Sequence, residues 1–211
     1  MPRFTPEQLA FAASKRAYMA REESIEFLTT MDIRMSVGHW SAGDFCDRFA
    51  PPGYHSDDPS FGSDFEAQCR RTKAAGVSAI EIHQSVFETT LNGALDVAAM
   101  ERAQKGFLAE LGMSVTACNI NTWTHPKFRL GGACNPDAAL RKAALDEVLK
   151  GVEICRRMQI PVLSVWPGSD GADYHFQIDY KQSLEWFTEA LIAVNTECVK
   201  HGIKLALEPK P

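Results

Sequence analysis

Short, nearly continuous apolar segments alternate with longer segments of helical periodicity along most of this chain. The apolar segments lie at residues 31–40, 77–83, 113–121, 160–166 and 203–207. Each has the length of a strand, and amphipathic segments separate them. Strands that are apolar on both faces and alternate with helices are typical of a parallel sheet covered by helices. The alternation therefore restricts the fold to the α/β class.

Helix signals fill the intervals between these predicted strands. We expect helices at residues 5–27, 64–75, 97–111, 137–155 and 182–200, with long loops at 41–62 and 122–134. The first helix begins with Thr5-Pro6-Glu7-Gln8, which has the pattern of a capping box with proline at the first helical position. We expect residues 1–30 to form an outer helical arm and residues 31–211 to form the main domain.

Two architectures fit the predicted order of elements. One is a doubly wound open sheet, and the other is the first five strands of an eight-stranded (β/α)₈ TIM barrel. No Gly-x-Gly-x-x-Gly motif follows the first strand and no Walker loop occurs, which argues against a nucleotide-binding open sheet. Both architectures place functional residues at the carboxyl ends of the strands.

Composition and charge exclude several classes of function. The formal net charge is −5 and no basic patch is evident, so we expect no nucleic-acid partner. No apolar run approaches the ~20 residues of a membrane span, and the N-terminal segment lacks the apolar core of a signal peptide. The six cysteines are scattered without a Cys-x-x-Cys pair, as expected for reduced thiols of a cytoplasmic protein.

Aromatic and titratable residues recur at the predicted carboxyl ends of the strands. In chain order these residues are His39, Trp40, His83, Trp123, His125, Trp166, Glu208 and Lys210. Tryptophans lining a cleft suit a sugar, because the apolar face of the sugar packs on indole while polar groups bind its hydroxyls. A carboxylate on a strand suits Mg²⁺ or Mn²⁺. The neighbouring lysine suits a role in polarising a substrate oxygen.

Four segments, in the same order, resemble the xylose isomerase family. Residues 121–137 contain the family's His-Pro-x-Phe-x-x-Gly-Gly pattern before a helix start, and residues 205–211 contain its Glu-Pro-Lys-Pro signature. Residues 165–168 look like the family's Trp-Gly-Gly strand end, and residues 35–43 are similar to its first strand. Order and approximate spacing agree over residues 33–211.

The resemblance implies a TIM barrel that binds divalent metal (Mg²⁺, Mn²⁺ or Co²⁺) and interconverts an aldose and a ketose. By position, it implies that His83 assists ring opening and that Lys210 contacts the reacting oxygen of the substrate. It also implies that Glu208 is a metal ligand. Three tryptophans would form the wall of the sugar pocket, and we place His125 with them among the substrate-binding residues: Trp40, Trp123 and Trp166.

The sequence departs from the family pattern in two ways. The family has a carboxylate shortly after the ring-opening histidine, whereas this chain has Gln84-Ser85-Val86. The remaining metal ligands of the family lie on strands six to eight, so we expect an isomerase or epimerase to need residues beyond Pro211. The zinc endonuclease branch fits less well, because the strand ends lack its His and Glu.

A second hypothesis comes from another class of protein. The chain would be a non-catalytic half-barrel, with a structural or sugar-binding role, that another chain completes. The N-terminal helix suggests assembly into a homo-oligomer under either hypothesis.

Overall fold

The computed structural model describes residues 4–16, 18–42, 64–168, 170 and 176–209. Most of the predicted loop at 41–62 and the predicted catalytic residue Lys210 lie outside these ranges. The contacts divide the chain into two compact units, Met1–Ser36 and Val37–Pro211.

The N-terminal unit contains two helices, α1 (Pro6–Ala13) and α2 (Arg21–Thr30), so the prediction of one N-terminal helix over 5–27 was wrong. The capping box of Thr5 and Gln8 is present at the start of α1. The Ser14 hydroxyl donates to the carbonyl of Phe11 just after α1, and the Glu23 carboxylate accepts from the backbone N–H of Ala20 before α2. These local bonds offer the backbone an alternative to a continuous helix.

In the described part of the second unit, five parallel strands are hydrogen-bonded in their order along the chain. A doubly wound sheet would reverse the strand order partway, whereas a barrel adds each strand beside the previous one. The sequential order therefore confirms the barrel alternative. The strands are β1 (Val37–Gly38), β2 (Ala79–His83), β3 (Ser114–Ile120), β4 (Val162–Val165) and β5 (Lys204–Leu207).

Among the residues that the structure describes, five α-helices accompany the sheet, and aspartates cap most of their N-termini. Asp64, Asp96, Asp137 and Asp179 each accept a backbone hydrogen bond at the start of a helix. The predicted helix over 97–111 is divided at Gly106. The helices are α3 (Phe65–Ala74), α4 (Val97–Lys105), α5 (Phe107–Leu111), α6 (Ala138–Met158) and α7 (Tyr180–Lys200); short 3₁₀ helices follow β1 (His39–Ala42), β2 (Gln84–Phe87) and the β3 loop (Pro126–Phe128).

The hydrophobic core lies between the sheet and its helices. Alternate strand residues enter it, including Ile80 and Ile82 of β2 and Leu163 of β4. Gly151 of α6 has no Cβ, so the helix can approach the side chains of Ile120 and Leu163 closely. Because side chains alternate along a strand, Glu81, His83, Asn119, Ser164 and Trp166 belong to the opposite face of the sheet.

The cysteines that the structure describes are free, as predicted: Cys69, Cys118, Cys134, Cys155 and Cys198. Cys46 lies outside the described residues. Within the described part of the chain, no helix is long and apolar enough to cross a membrane.

Candidate active site

A row of aromatic rings crosses the carboxyl ends of the first four strands. The centroid of the Trp40 ring lies 4.5 Å from that of His83, which lies 5.7 Å from that of Trp123. The Trp123 and Trp166 rings are perpendicular, with centroids 4.7 Å apart. We call these four side chains the aromatic row. The structure thus brings together the three predicted sugar-wall tryptophans and the predicted catalytic histidine.

The Trp40 side chain packs directly on the backbone of Gly38 at the end of β1. Gly38 lies against the indole of Trp40, in space that a Cβ would occupy. The neighbouring His39 ring lies 5.6 Å from His83 and 5.4 Å from Trp40, between centroids. His39 Nδ1 hydrogen-bonds Gln68 Oε1 at 3.0 Å, which fixes the ring between α3 and the aromatic row.

His83 is held as a neutral imidazole. Burial is the main cause that lowers its pKa to about 4, and the nearby His39 lowers it further, while a hydrogen bond to the backbone of Asn119 opposes the shift. The pKa of His39 is also lowered, mainly by burial. His83 Nδ1 and His39 Nε2 are buried and have no hydrogen-bond partner among the described residues. The arrangement favours uncharged rings at neutral pH.

Asn121 fixes the backbone that carries Trp123. The side-chain oxygen of Asn121 accepts from the backbone N–H of Trp123 at 3.2 Å and of Thr124 at 3.0 Å. The amide of Gln84 is fully buried and pairs with the backbone of Asn121, at 2.7 Å to its N–H and 3.2 Å to its carbonyl. Gln84 therefore holds the segment that follows β3.

The turn after β4 supports Trp123 from the other side. Gly168 has a φ of +62°, and a Cβ placed on it would lie 2.7 Å from Cβ of Trp123. Asp170 is buried in the same turn and accepts hydrogen bonds from the backbone of the loop after β3. The sequence analysis missed Asp170. The only sequence signal was an Asp between two glycines, Gly168 and Gly171, shortly after a predicted strand.

Other predicted site residues stand apart from the aromatic row. Glu208 follows β5 at the same edge of the sheet, is exposed, and donates its backbone N–H to the Val165 carbonyl at 3.0 Å. His125 accepts from the Lys127 backbone through Nδ1 at 3.1 Å and lies 6.5 Å from the Phe128 ring, between centroids. The described contacts of His125 are thus local, and its role in substrate binding stays a prediction.

Sequence comparison supports the resemblance drawn from the motifs. The profile of a family described as "Xylose isomerase-like TIM barrel" matches residues 69–211. Xylose isomerase from Thermus thermophilus is 31% identical over 112 residues, which is 52% of this chain and 29% of that protein.

Solved structures of sugar enzymes share the fold. L-ribulose 3-epimerase matches with a TM-score of 0.56 at 17% identity, over 82% of this chain and 48% of that one. D-psicose 3-epimerase, solved in the presence of D-fructose, gives 0.55 at 15% identity, over 81% and 51%. A xylose isomerase-like TIM barrel protein from Mycobacterium smegmatis, in complex with magnesium, gives 0.56 at 14% identity, over 84% and 55%.

The chain therefore spans about half the length of these solved relatives and less of the curated isomerase. At these identities the structural matches establish the fold. The match to the family profile, in contrast, extends over more than half of the chain. On this basis, the protein belongs to the xylose isomerase-like TIM barrel family.

Proposed function

We propose that the protein is a divalent-metal-dependent sugar isomerase, interconverting aldose and ketose, or a sugar epimerase. The observation that carries the proposal is the aromatic row at the carboxyl ends of the strands, where barrel enzymes hold their active sites. Indole faces suit the apolar face of a sugar. The named relatives, a xylose isomerase and two ketose 3-epimerases, support the same substrate class.

His83 suits hydrogen bonding to a sugar hydroxyl rather than proton donation as an imidazolium. Its pKa of about 4 leaves it neutral at neutral pH. Where the family has its orienting carboxylate, this chain has Gln84-Ser85-Val86, and the Gln84 amide is bonded to Asn121. A histidine without such a carboxylate is a weaker acid or base. We therefore expect ring opening, if His83 assists it, to be slower than in family members that have the carboxylate.

Glu208 would supply one oxygen ligand to Mg²⁺, Mn²⁺ or Co²⁺, which prefer several such ligands. When bound, the ion would polarise substrate oxygens, and Lys210 is proposed to contact the reacting oxygen. Within the described residues, no group of three or more His, Cys, Asp or Glu side chains is arranged to hold a metal ion. The described residues alone therefore do not make a complete site.

The second candidate is a non-catalytic half-barrel with a structural or sugar-binding role that another chain completes. In that case the aromatic row would bind a sugar without converting it. Under either candidate we propose a cytoplasmic protein with a small sugar as its ligand, without nucleic-acid or membrane partners, that assembles as a homo-oligomer.

The deciding experiment uses the protein as it is naturally expressed. Its intact mass and its content of divalent metal are measured on one sample, and D-xylose and D-fructose are then tested for conversion with added Mg²⁺, Mn²⁺ or Co²⁺. The variant E208Q removes the proposed ligand charge. The variant E189Q removes an exposed carboxylate on α7 and serves as the matched control.

The isomerase proposal expects bound divalent ions, sugar conversion in the presence of metal, and loss of both in E208Q but not in E189Q. Sugar binding without bound metal and without conversion would favour the half-barrel candidate. A metal-loaded protein whose metal content is the same in E208Q as in the unaltered protein would remove Glu208 from the proposed site.

A further inference from the structure

Asp170 connects the segments that follow two neighbouring strands. Its backbone N–H donates to the Pro167 carbonyl at 3.0 Å, which closes a turn after β4. Its carboxylate reaches the loop after β3, where Oδ1 accepts from the Cys134 N–H at 2.7 Å and Oδ2 accepts from the Ala133 N–H at 3.2 Å. One side chain thus joins both loops through main-chain donors.

The surroundings of this carboxylate are mostly apolar. Asp170 is 7% exposed and borders a cavity of about 20 Å³ whose other lining residues, apart from Thr122, are apolar. Burial raises the pKa of Asp170, and hydrogen bonds from the backbone N–H groups of Cys134, Ala133 and Gly132 oppose that rise. Burial of a carboxylate raises the free energy of the folded state unless hydrogen bonds compensate the lost hydration. The bonds from the loop after β3 supply this compensation, so the side chain and the loop hold each other in place.

Both joined loops contact the Trp123 side chain or its neighbour Thr122, and Trp123 pairs with Trp166 in the aromatic row. Gly132 lies against Thr122, so that a Cβ on Gly132 would be 3.2 Å from the Thr122 side chain. Gly168 lies against Trp123 in the same manner. A displacement of one loop relative to the other would therefore move Trp123, either through its neighbour Thr122 or through Gly168. The angle between the Trp123 and Trp166 rings would then change.

We propose that Asp170 is a positioning residue: it fastens the loop after β3 to the turn after β4 and thereby fixes Trp123 against Trp166. The significance of this role for sugar recognition rests on the proposed function, because only then is the tryptophan pair a sugar-binding wall. The fastening itself is a property of the protein that can be measured without any ligand.

The test uses the variant D170N, which keeps the shape of the side chain. Its amide offers one acceptor oxygen, and its NH₂ group faces backbone donors, so the two bonds cannot both form. Two indoles in contact couple their electronic transitions and give a paired signal in the far-ultraviolet circular dichroism spectrum. The variant W123F identifies the part of the spectrum that belongs to the Trp123–Trp166 pair.

The matched control is V194A. Val194 of α7 lines the same cavity and is buried, so its truncation weakens packing without touching the carboxylate. We expect D170N to lose most of the Trp–Trp signal and V194A to retain it, although both lower the stability. An unchanged signal in folded D170N would overturn the proposal.

Hydrogen exchange in the unaltered protein keeps the proposal testable if D170N does not fold. The amides of Ala133 and Cys134 lie outside helices and strands, and we expect slow exchange at both because they donate to a buried carboxylate. Exchange as fast as in the exposed loop residues around them would overturn the proposal.

A titration with D-fructose in the presence of Mg²⁺ separates this proposal from the proposed function. If the unaltered protein does not bind fructose but D170N loses the Trp–Trp signal, the positioning role stands and the sugar function is weakened. If fructose binds equally to both proteins although the signal is lost, Asp170 has no role in sugar recognition.

Discussion

At the scale of single residues, Gly168 matters because its backbone packs directly against the Trp123 side chain, where there is no room for a Cβ atom. Its φ of +62° is costly for any residue with a Cβ, and a Cβ there would also lie 2.7 Å from Trp123. We expect G168A to lose about 1–2 kcal/mol from backbone strain alone and more from displacement of the indole. Urea unfolding measures the loss of stability, and tryptophan fluorescence reports the displacement.

Gly112 offers a matched control for this prediction. Its φ is +59°, and a Cβ placed on it would have no neighbour within 4 Å. The variant G112A should therefore show the backbone cost without a change in tryptophan emission. Equal losses and equal spectra in G112A and G168A would contradict the close contact with Trp123.

His83 makes stability depend on pH in a known direction. Its folded-state pKa of about 4 lies below the ordinary value of 6.5, so the folded protein binds fewer protons than the unfolded chain between these values. We expect the free energy of unfolding to fall as pH decreases from about 6.5 to about 4. For one proton the slope is at most about 1.4 kcal/mol per pH unit. His39, whose pKa is also lowered, adds to the same slope.

The variant H83N isolates this contribution, since asparagine does not titrate in the range. We expect a shallower dependence of the unfolding free energy on pH in H83N than in the unaltered protein. H201N, which replaces an exposed histidine after α7, serves as the control. Parallel pH profiles for H83N and the unaltered protein would show that His83 is not held neutral by the fold.

At the scale of elements, an ion pair joins α6 to the segment after β2. Lys150 Nζ lies 3.0 Å from Glu88 Oε1 and donates to the Gly93 carbonyl at 2.7 Å. The Glu88 side chain is completely buried, and burial is the main cause that raises its pKa, whereas Lys150 lowers it. We expect K150M to destabilise by about 3–5 kcal/mol, because it leaves a buried carboxylate without its cation. Urea unfolding at neutral pH measures the loss.

The double variant E88Q/K150M tests the cause of that loss. With the Glu88 and Lys150 charges removed, part of the stability should return, and the remaining cost would include loss of the ion pair between Lys150 Nζ and the buried Glu147 carboxylate, which lie 2.6 Å apart. K142M breaks an exposed pair with Asp146 and should cost less than about 1 kcal/mol. If K142M and K150M were equally destabilising, burial of Glu88 would not be the reason.

The sequence allowed correct prediction of the elements that are set by periodicity. Strands β2 to β5 are apolar over most of their length, and helices α6 and α7 have long amphipathic stripes, so their positions were predicted to within a few residues. The first strand was predicted over residues 31–40, but β1 contains only Val37–Gly38. Local side-chain bonds were harder to anticipate. Ser14 and Glu23 separate α1 from α2, and Gly106 separates α4 from α5, in stretches whose composition alone allows a continuous helix.

The same distinction applies to the candidate site. The aromatic row was predictable because parallel strands end at one edge, and its members lie at those ends or within three residues after them. His39 with Gln68, and Asp170 with the loop after β3, depend on contacts between residues far apart in the sequence. No pattern within one segment indicates such partners.

At the scale of the whole molecule, the sequential order of the strands determines which residues lie side by side in the candidate site. Each strand adds its end residue beside that of the previous one, so Trp40, His83, Trp123 and Trp166 follow the sheet from β1 to β4. This arrangement explains why residues spread over most of the chain form one row.

The hydrophobic core predicts which part of the chain can fold without the N-terminal helices. Every member of the main core lies between Cys69 and Ile203, and the five strands lie within residues 37–207. We therefore expect a protein that lacks residues 1–30 to remain soluble and to unfold cooperatively in urea. The Trp–Trp signal in circular dichroism should persist in it, because both indoles belong to the second unit.

Deletion of residues 203–211 provides the contrasting case. It removes the core residue Ile203 and the strand β5, which is hydrogen-bonded to β4. We expect this shorter deletion to cost more stability and solubility than loss of the thirty N-terminal residues. The reverse ranking in urea unfolding would mean that the N-terminal helices are an integral part of the folding unit rather than an outer arm.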